Sequence, residues 1–390
     1  MVASPFAFLR GAAALMAEDF AGRPRTGIEP VICGDAHLGN FGFYASPERD
    51  LVFDLNDFDE AHPGPWEWDL WRLVSSVWVA GRQNGLAEGT CEDAVLRCAA
   101  AYRRQIRGLA GQPLLSRSFE RLDIDRMRKE MADWSLRGEI ERAALVARAR
   151  TTDRALPKLT RENHGLRRMV DRPPVITHVA EAEADRLVDG LRAYLDTLPP
   201  HWRRVLGSYV VVDVAHKVVG VGSVGLRAFV ALLQGNGPHD MVFLQLKEAR
   251  RSCVARFMHG DHALHAHQGQ RVVEYQQTLQ TVSDPLLGWT TVDNRNYYVR
   301  QFRDMKGAVT VEGMDGSALM DYARICGALL AKGHARTTGA TVLSGYLGKG
   351  DLVDRACASF ARAYADQTEA DHQALVKAVS SGRVPAEHGI

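Results

Sequence analysis

Two short apolar segments, each followed by acidic residues, constrain the fold of this 390-residue chain more than any other feature. Residues 30–33 lead into Gly34-Asp35-Ala36-His37-Leu38-Gly39-Asn40, and residues 51–53 lead into Asp54-Leu55-Asn56-Asp57-Phe58-Asp59-Glu60. Their length, their β-branched residues and the polar turn at 46–50 predict the two strands of a hairpin. Acidic side chains at two neighbouring strand ends would bind a divalent cation.

The spacing of the polar residues indicates a particular chemistry. Asp35 and Asn40 are five positions apart, as are the Asp and Asn of the protein-kinase catalytic loop. There the Asp orients and deprotonates the acceptor hydroxyl, while the Asn and a later Asp, followed by Phe, hold Mg²⁺. Asp57-Phe58 follows in the same order. We therefore predict Asp35 as the catalytic base, and Asn40 and Asp57 as metal ligands.

Three neighbouring residues leave alternatives open. Either Asp54 or Asp59 could replace Asp57 as the metal ligand, although only Asp57 has the following Phe and the kinase spacing. His37 is a second catalytic candidate that would contact phosphate or the acceptor, or would brace the loop through a hydrogen bond. Bracing is the role that we favour for His37.

The pattern Gly34-Asp35-x-His37-x-x-Asn40, then Asp57-Phe58, then Asp69-Leu70 resembles the aminoglycoside-phosphotransferase branch of the kinase-like fold. Cys33 departs from that branch, which usually has His there. We expect Asp69 to anchor the backbone of the catalytic loop rather than to bind a metal.

A glycine-rich segment and a lysine follow much later. Residues 220–225, with Gly220, Gly222, Ser223 and Gly225, match G-x-G-x-x-G, which dinucleotide-binding folds and kinases share. Strand-like residues 226–233, the turn Asn236-Gly237 and a strand at 241–246 ending in Lys247 favour the kinase arrangement. The loop amides and Lys247 would then bind the nucleotide phosphates, with Glu274 as the partner of Lys247. A plain β-meander with turn glycines and a surface lysine is the alternative.

The catalytic candidates precede the glycine loop, whereas ordinary kinases have the reverse order. Circular permutation reconciles the two, because permutation is tolerated where termini lie close together. We predict an α+β, two-lobed, circularly permuted protein-kinase-like fold: catalytic lobe 1–205, β-meander nucleotide lobe 206–310 and further catalytic-lobe helices 311–390. Strand 297–302 would lie on the hinge side. Predicted helices cover 4–20, 65–80, 90–107, 118–150, 180–196, 265–282, 317–335 and 350–378.

The whole chain also resembles a bacterial family catalogued as domain of unknown function 2252. Matching phrases are SPFAFLRGAA (4–13), CGDAHLGNFG (33–42), FDLNDFDEA (53–61), WDLWRL (68–73), KVVGVGSVGLR (217–227), LQLKEAR (244–250), GQRVVEYQ (269–276) and YYVRQFRDMKG (297–307). This resemblance implies a kinase-like fold but no substrate.

Composition limits the remaining possibilities. The chain is 46% hydrophobic and 24% charged with net charge +1, so we expect no nucleic-acid or membrane partner. Six cysteines without a CxxC pair predict reduced thiols in a cytoplasmic protein. We expect the histidine cluster at 259–267 to be a solvated segment, with a zinc or nickel site as its alternative.

The resulting prediction is an ATP- and Mg²⁺-dependent phosphotransferase whose partners are a nucleotide and an unknown small-molecule or protein acceptor. A nucleotide-binding pseudokinase or regulator is the main alternative. An adenylyl transferase is another. A metallophosphoesterase, suggested by Gly34-Asp35-Ala36-His37, would also need later metal-binding blocks that the sequence lacks.

Overall fold

The computed structural model describes residues 1–122, 134–163, 166–218, 225–260, 262, 264–302, 304–337 and 339–385. Its helices are α1 (Pro5–Gly11), α2 (Ala13–Ala21), α3 (Trp66–Gln83), α4 (Glu88–Ala110), α5 (Leu114–Ser118), α6 (Trp134–Arg148), α7 (Thr152–Leu159), α8 (Glu181–Tyr194), α9 (Pro200–Leu206), α10 (Ala255–His259), α11 (Gln268–Leu279), α12 (Gly316–Ala335), α13 (Ala340–Leu347) and α14 (Leu352–Ser380).

The strands are β1 (Val31–Ile32), β2 (Phe41–Ala45), β3 (Leu51–Leu55), β4 (His62–Pro63), β5 (Thr160–Asn163), β6 (Leu166–Met169), β7 (Ile176–His178), β8 (Val210–Lys217), β9 (Ala228–Gln234), β10 (Met241–Glu248), β11 (Gly288–Val292), β12 (Arg295–Gln301) and β13 (Gly307–Ala308). This mixture confirms the α+β class. In the described part of the chain, no helix combines the length and apolar character needed to cross a membrane.

Six strands form an antiparallel sheet in the order β11-β12-β10-β9-β8-β7. The predicted meander is confirmed, since β9 pairs with β10 from Gln234↔Met241 to Ala228↔Lys247. The predicted strand at 297–302 is β12, and it places Tyr298 opposite Lys247. Strand β11, which the sequence analysis did not predict, forms one edge of the sheet.

The acidic hairpin differs from its prediction in one strand. Its strands are β2 and β3, joined by the predicted turn at 46–50, whereas β1 pairs with β4 instead. The reason lies at Gly34, whose φ of +76° turns the chain immediately after β1. A Cβ there would lie 2.2 Å from the Glu60 carbonyl oxygen, so only glycine fits this close approach. The loop 34–40 therefore separates β1 from the hairpin.

Two of the four hydrophobic cores in the described part of the chain support the elements around the acidic hairpin and the six-stranded sheet. The larger lies among α3, α4, α12 and the acidic hairpin, and includes the fully buried Trp78, Tyr102 and Tyr322. The smaller lies between the six-stranded sheet and α8, where Tyr194 and Phe229 are buried. Truncating a buried aromatic residue of this kind costs about 3–5 kcal/mol.

Most predicted helices are present, with local differences. The helix predicted at 4–20 is broken into α1 and α2 around Ala12. Ser4 caps α1, its Oγ accepting from the Ala7 amide at 3.2 Å. Part of the helix predicted at 118–150, residues 123–133, lies outside the described residues. The last predicted helix is α14, and the short α13 precedes it.

Candidate active site

Asp69, near the start of α3, holds the loop that carries Asp35. Its two carboxylate oxygens accept hydrogen bonds from the backbone amides of Cys33 (2.6 Å) and Gly34 (2.8 Å). His334 Nε2, at the end of α12, donates to the same carboxylate at 3.1 Å, and its Nδ1 accepts from the Tyr102 hydroxyl at 2.7 Å. Asp69 thus makes the loop contacts that the sequence analysis expected of it.

Asp35 projects from this loop and pairs with an arginine that the sequence analysis did not assign. Arg72 Nε donates to Asp35 Oδ1 at 2.6 Å, and its Nη2 lies at the same distance from that oxygen. Nη2 also donates to the Leu9 carbonyl (2.7 Å), and Nη1 lies 3.2 Å from Met16 Sδ. The buried Arg72 therefore links Asp35 to the N-terminal helices.

The environment of Asp35 suits a proton acceptor at neutral pH. Burial raises its pKa to about 7, an effect that Arg72 opposes and that the nearby carboxylates of Asp57 and Glu60 reinforce. Its side chain keeps 23% of its surface exposed. A carboxylate with such a pKa can both take up and release a proton near pH 7.

Asn40 joins the two acidic loops. Its amide nitrogen Nδ2 donates to the backbone carbonyls of Asp35 (3.1 Å) and Asp57 (3.0 Å), and lies 3.1 Å from Cys33 Sγ. The side chain is only 2% exposed, and Oδ1 has no hydrogen-bond partner in the described part of the chain. A buried carbonyl oxygen without a partner is costly unless a ligand satisfies it.

His37 lies beside Asp35 with its Nε2 3.8 Å from Asp35 Oδ2. Burial, together with Arg72 and Arg10, holds the pKa of His37 well below its usual range, so the ring is neutral near pH 7. Its backbone participates in the loop, since its amide donates to the Asp35 carbonyl and its carbonyl accepts from the Asn40 amide. Nδ1 is buried without a partner in the described residues.

Lys247 approaches the second acidic loop from strand β10. Its ammonium group pairs with the Asp59 carboxylate. Although burial lowers the pKa of Lys247, Asp57 and Asp59 together raise it to a net value above normal. Burial alone would raise the pKa of the nearby Asp57. The positive charges of Lys247 and Arg300 outweigh this effect and lower the pKa below its usual value, so that Asp57 stays ionised. The Asp57 side chain is exposed to solvent, whereas Asp59 is occupied by Lys247.

The predicted pairing of Glu274 with Lys247 is wrong. Glu274 accepts from Gln270 Nε2 at 2.7 Å and lies at the same distance from His265 Nε2. Another α11 residue contacts the acidic loop: Arg271 donates to the carbonyls of Asp59 (2.7 Å) and Ala61 (2.6 Å). Arg271 and Glu274 are one turn apart, and the sequence pattern did not distinguish which of them faces the loop.

The glycine loop is only partly described. Gly220, Gly222 and Ser223 lie outside the described residues. Gly225 is described, has a φ of +80°, and its carbonyl accepts from Arg250 Nη2 at 2.8 Å.

Two other predicted candidates have structural contacts. Asp54 is fully buried and pairs with Lys332 of α12, so its carboxylate is already occupied. In the histidine cluster, His267 caps α11 by accepting from the Gln270 amide at 3.1 Å. Within the described ranges, no three His, Cys, Asp or Glu side chains converge as a metal-binding group.

Fold and site together define a mixed α+β protein. In it, Lys247 of the β-meander lies beside the two loops that carry Asp35, Asn40 and the exposed Asp57. The chain belongs to a bacterial family described as "Uncharacterized protein conserved in bacteria (DUF2252)", whose model matches residues 1–378. Neither the curated proteins nor the solved structures contain a significant match to the chain.

Proposed function

We propose that the chain is an ATP- and Mg²⁺-dependent phosphotransferase with a circularly permuted kinase-like arrangement. The observation that carries the proposal is the position of Asn40, which links the Asp35 loop to the Asp57 loop and has a buried side-chain oxygen with no hydrogen-bond partner among the described residues. In kinases the corresponding Asn and Asp supply oxygen ligands to Mg²⁺. An orphaned amide oxygen beside an exposed carboxylate fits that donor set.

In this proposal each residue has a separate task. Asn40 Oδ1 and the Asp57 carboxylate would hold Mg²⁺, while nucleotide phosphates and water complete its coordination. The cation neutralises phosphate charge when bound. Lys247 lies beside the same loop and would bind the phosphates once it exchanges its Asp59 contact for them. Asp35 would accept the proton of the acceptor hydroxyl as that oxygen bonds to phosphorus and the bond to the departing diphosphate breaks.

The environment of Asp35 weighs against a metallophosphoesterase. That class uses its first Asp as a metal ligand in a two-metal site. Asp35 Oδ1 already accepts from the Arg72 guanidinium, which competes with metal coordination. The pseudokinase alternative differs from the proposal in turnover, and the adenylyl-transfer alternative differs in its product, so both are distinguished by experiment.

The first test measures nucleotide binding and product formation. We expect ATP with Mg²⁺ to raise the melting temperature more than ATP or Mg²⁺ alone. Because the natural acceptor is unidentified, incubation should release ADP slowly with water as the phosphoryl acceptor; release of pyrophosphate instead would indicate adenylyl transfer. Binding without any turnover would support the pseudokinase alternative. No stabilisation, combined with metal-dependent hydrolysis of a phosphate monoester, would support the phosphoesterase.

The second test concerns the base. Asp35→Asn should keep ATP binding within about threefold and lower ADP release by about 10²–10⁴-fold, because the variant removes the proton acceptor alone. Asp185→Asn, at an exposed position on α8, is the matched control and should retain the wild-type rate. Normal ADP release by Asp35→Asn would contradict the assignment.

A further inference from the structure

One face of the six-stranded sheet carries two cations towards the acidic loop. The pairing of β10 with β12 places Lys247 opposite Tyr298 and Gln245 opposite Arg300. Residues that are directly opposite in an antiparallel pair share a face, as do residues two positions apart on one strand. Both cations flank the Tyr298 ring, with Lys247 Nζ at 5.9 Å and Arg300 Cζ at 5.5 Å from its centroid. Arg300 Nε donates to Gln245 Oε1 at 3.1 Å, which fixes its direction.

A third cation, Lys306, enters from the segment that connects β12 to the helical core. It lies between Met305, whose φ is +51°, and β13, where Gly307 pairs with Phe43 of β2. Its backbone is fixed on the other side by Arg150 Nη1, which donates to the Lys306 carbonyl at 3.1 Å. Thus Lys306 is held at the junction between the sheet and the acidic hairpin.

Among the described residues, the Lys306 ammonium has no anionic partner within ion-pair distance. Across the described residues it makes no ion pair within 4 Å. Burial, followed by the repulsion of Arg300, lowers the pKa of Lys306 to about 7, and the carboxylates of Asp284 and Asp57 only partly offset this. A lysine in this situation is stabilised by any anion that binds beside it.

The nearest buried carboxylates are already engaged. Asp284 accepts from the backbone amides of Leu286 (2.8 Å) and Gln301 (2.6 Å), and Asp304 pairs with Arg49. Backbone amides do not neutralise the Asp284 carboxylate, so the charged groups around Lys306 are Asp57, Asp59 and Asp284 against Lys247, Arg300 and Lys306. These charges balance, and a bound divalent cation would leave a positive excess.

We propose that Arg300 and Lys306 bind the terminal phosphoryl group of a nucleoside triphosphate, separately from Lys247. This inference rests on the proposed function and adds the residues that distinguish a triphosphate from a diphosphate. The planar guanidinium of Arg300 can donate two hydrogen bonds to phosphate oxygens, while Lys306 supplies a compact charge. The terminal phosphoryl group of a triphosphate would bring anionic oxygens to Arg300 and Lys306, whereas a diphosphate would leave these two cations without an anionic partner.

The test compares affinities for ATP and ADP with Mg²⁺ by calorimetry. Lys306→Met keeps the aliphatic stem and should weaken ATP binding at least tenfold while changing ADP binding less than threefold. Arg300→Met should have the same selective effect. Lys306→Arg should restore most of the preference for ATP. Lys377→Met, at an exposed position of α14, is the matched control and should leave both affinities unchanged.

Each outcome has one interpretation. Unchanged affinities, or equal losses for ATP and ADP, in folded Lys306→Met and Arg300→Met would overturn the inference and leave the proposed function standing. If the wild type binds inorganic tripolyphosphate but no nucleotide, and Lys306→Met abolishes that binding, the phosphate site stands and the proposed function fails. If the wild type binds none of these ligands, both fail. Thermal unfolding of each variant establishes that it is folded.

Discussion

Arg72 is the residue through which the fold controls Asp35. Because its guanidinium contacts both Asp35 Oδ1 and the Leu9 carbonyl, it fixes the direction of the carboxylate. Arg72→Met should lower kcat about 10–100-fold and leave the KM for ATP within about threefold, since orientation and not nucleotide binding is lost. Steady-state kinetics of ADP release measure the effects on kcat and on KM separately.

Arg72→Lys is the informative companion to this variant. It keeps the charge but loses the planar guanidinium that donates to both Asp35 and Leu9, so we expect an intermediate kcat. A fall in ATP affinity as large as the fall in kcat would show that Arg72 acts on binding, contrary to its proposed positioning role.

His62 makes stability depend on pH. It is 3% exposed, and burial lowers its pKa to about 4. The unfolded chain has the ordinary value near 6.5 and therefore binds more protons than the folded chain between about pH 6.5 and 4. The contribution of neutral His62 is full above that range and is lost as pH falls through it.

Replacing His62 with Gln should reduce this dependence. We expect the loss of unfolding free energy between pH 7 and pH 5 to be smaller by roughly 1 kcal/mol, a figure that allows for solvent screening. Denaturant unfolding at both pH values measures it. The exposed His201→Gln is the control, and an equal change in that variant would show that His62 is not responsible.

At the residue scale, sequence spacing brought together only those candidates that are close in the chain, namely Asp35, Asn40 and Asp57. Asn40 bonds to the carbonyls of Asp35 and Asp57, as expected if the three belong to one site. Partners that come from distant parts of the chain were not predictable. Lys247 and Asp59 are 188 positions apart, and no local pattern decides which of several acidic residues meets a given lysine.

At the scale of elements, α11 clamps the acidic loop through Arg271. This side chain is 2% exposed and donates to the carbonyls of Asp59, Ala61 and Arg250. Arg271→Met should weaken Mg²⁺-dependent ATP binding about tenfold, because the loop that carries Asp57 loses its support from the helix. Calorimetry with and without Mg²⁺ measures the change.

A neighbouring residue on the same helix supplies the control for Arg271. Glu274→Gln should leave the affinity for ATP within about threefold, since Glu274 contacts His265 and Gln270 rather than Lys247. If Glu274→Gln weakened binding more than Arg271→Met, the role of holding the acidic loop would be assigned to the wrong residue.

The hairpin shows why some elements were predictable and others not. Strand β3 was recognised because its apolar residues stand between turn residues. Strand β2 was missed because its aromatic residues directly follow the polar loop, and Gly42 interrupts the apolar pattern. The turn at Gly34 is the reason that β3 pairs with β2 and not with β1. A close contact there with Glu60, 26 positions later, decides the path of the chain.

At the scale of the whole molecule, a permuted order implies three contacts: Lys247 with the Asp57 loop, Glu274 with Lys247, and the end of α12 with β1. Two of them are present. Lys247 reaches the acidic loop, and the end of α12 lies beside β1, where the Val31 amide donates to Thr337 Oγ1 at 3.2 Å. The third, between Lys247 and Glu274, is not formed: Lys247 pairs with Asp59, and Arg271 is the α11 residue that contacts the acidic loop. The two ends of the chain are also close, since His372 Nε2 donates to the Val2 carbonyl at 3.0 Å.

This proximity allows the order of a kinase to be restored. A variant that joins residue 385 to residue 1 through about ten Gly/Ser residues, which span roughly 17 Å, can begin at Gln112 in the exposed connection between α4 and α5. We expect it to fold and to bind ATP with Mg²⁺ within about tenfold of the wild type. Melting temperature and calorimetry measure this.

A second permuted variant tests whether the position of the new chain ends matters. Beginning the same circular chain at Tyr298, inside β12, would divide a central strand and should prevent folding. Failure of both variants would show that joining the ends is itself disruptive, which contradicts permutation as the origin of the chain order.

The hydrogen bond from Arg72 to Leu9 has a practical consequence for identifying the acceptor. In the described part of the chain, the side chains proposed to bind nucleotide and cation, Asn40, Asp57 and Lys247, form no hydrogen bond or ion pair with α1. Weakening only the α1 contact would therefore slow proton removal while the groups proposed to bind nucleotide and cation stay in place. A chain altered in this way would consume its acceptor more slowly, and could serve as bait for capturing that molecule from a bacterial extract.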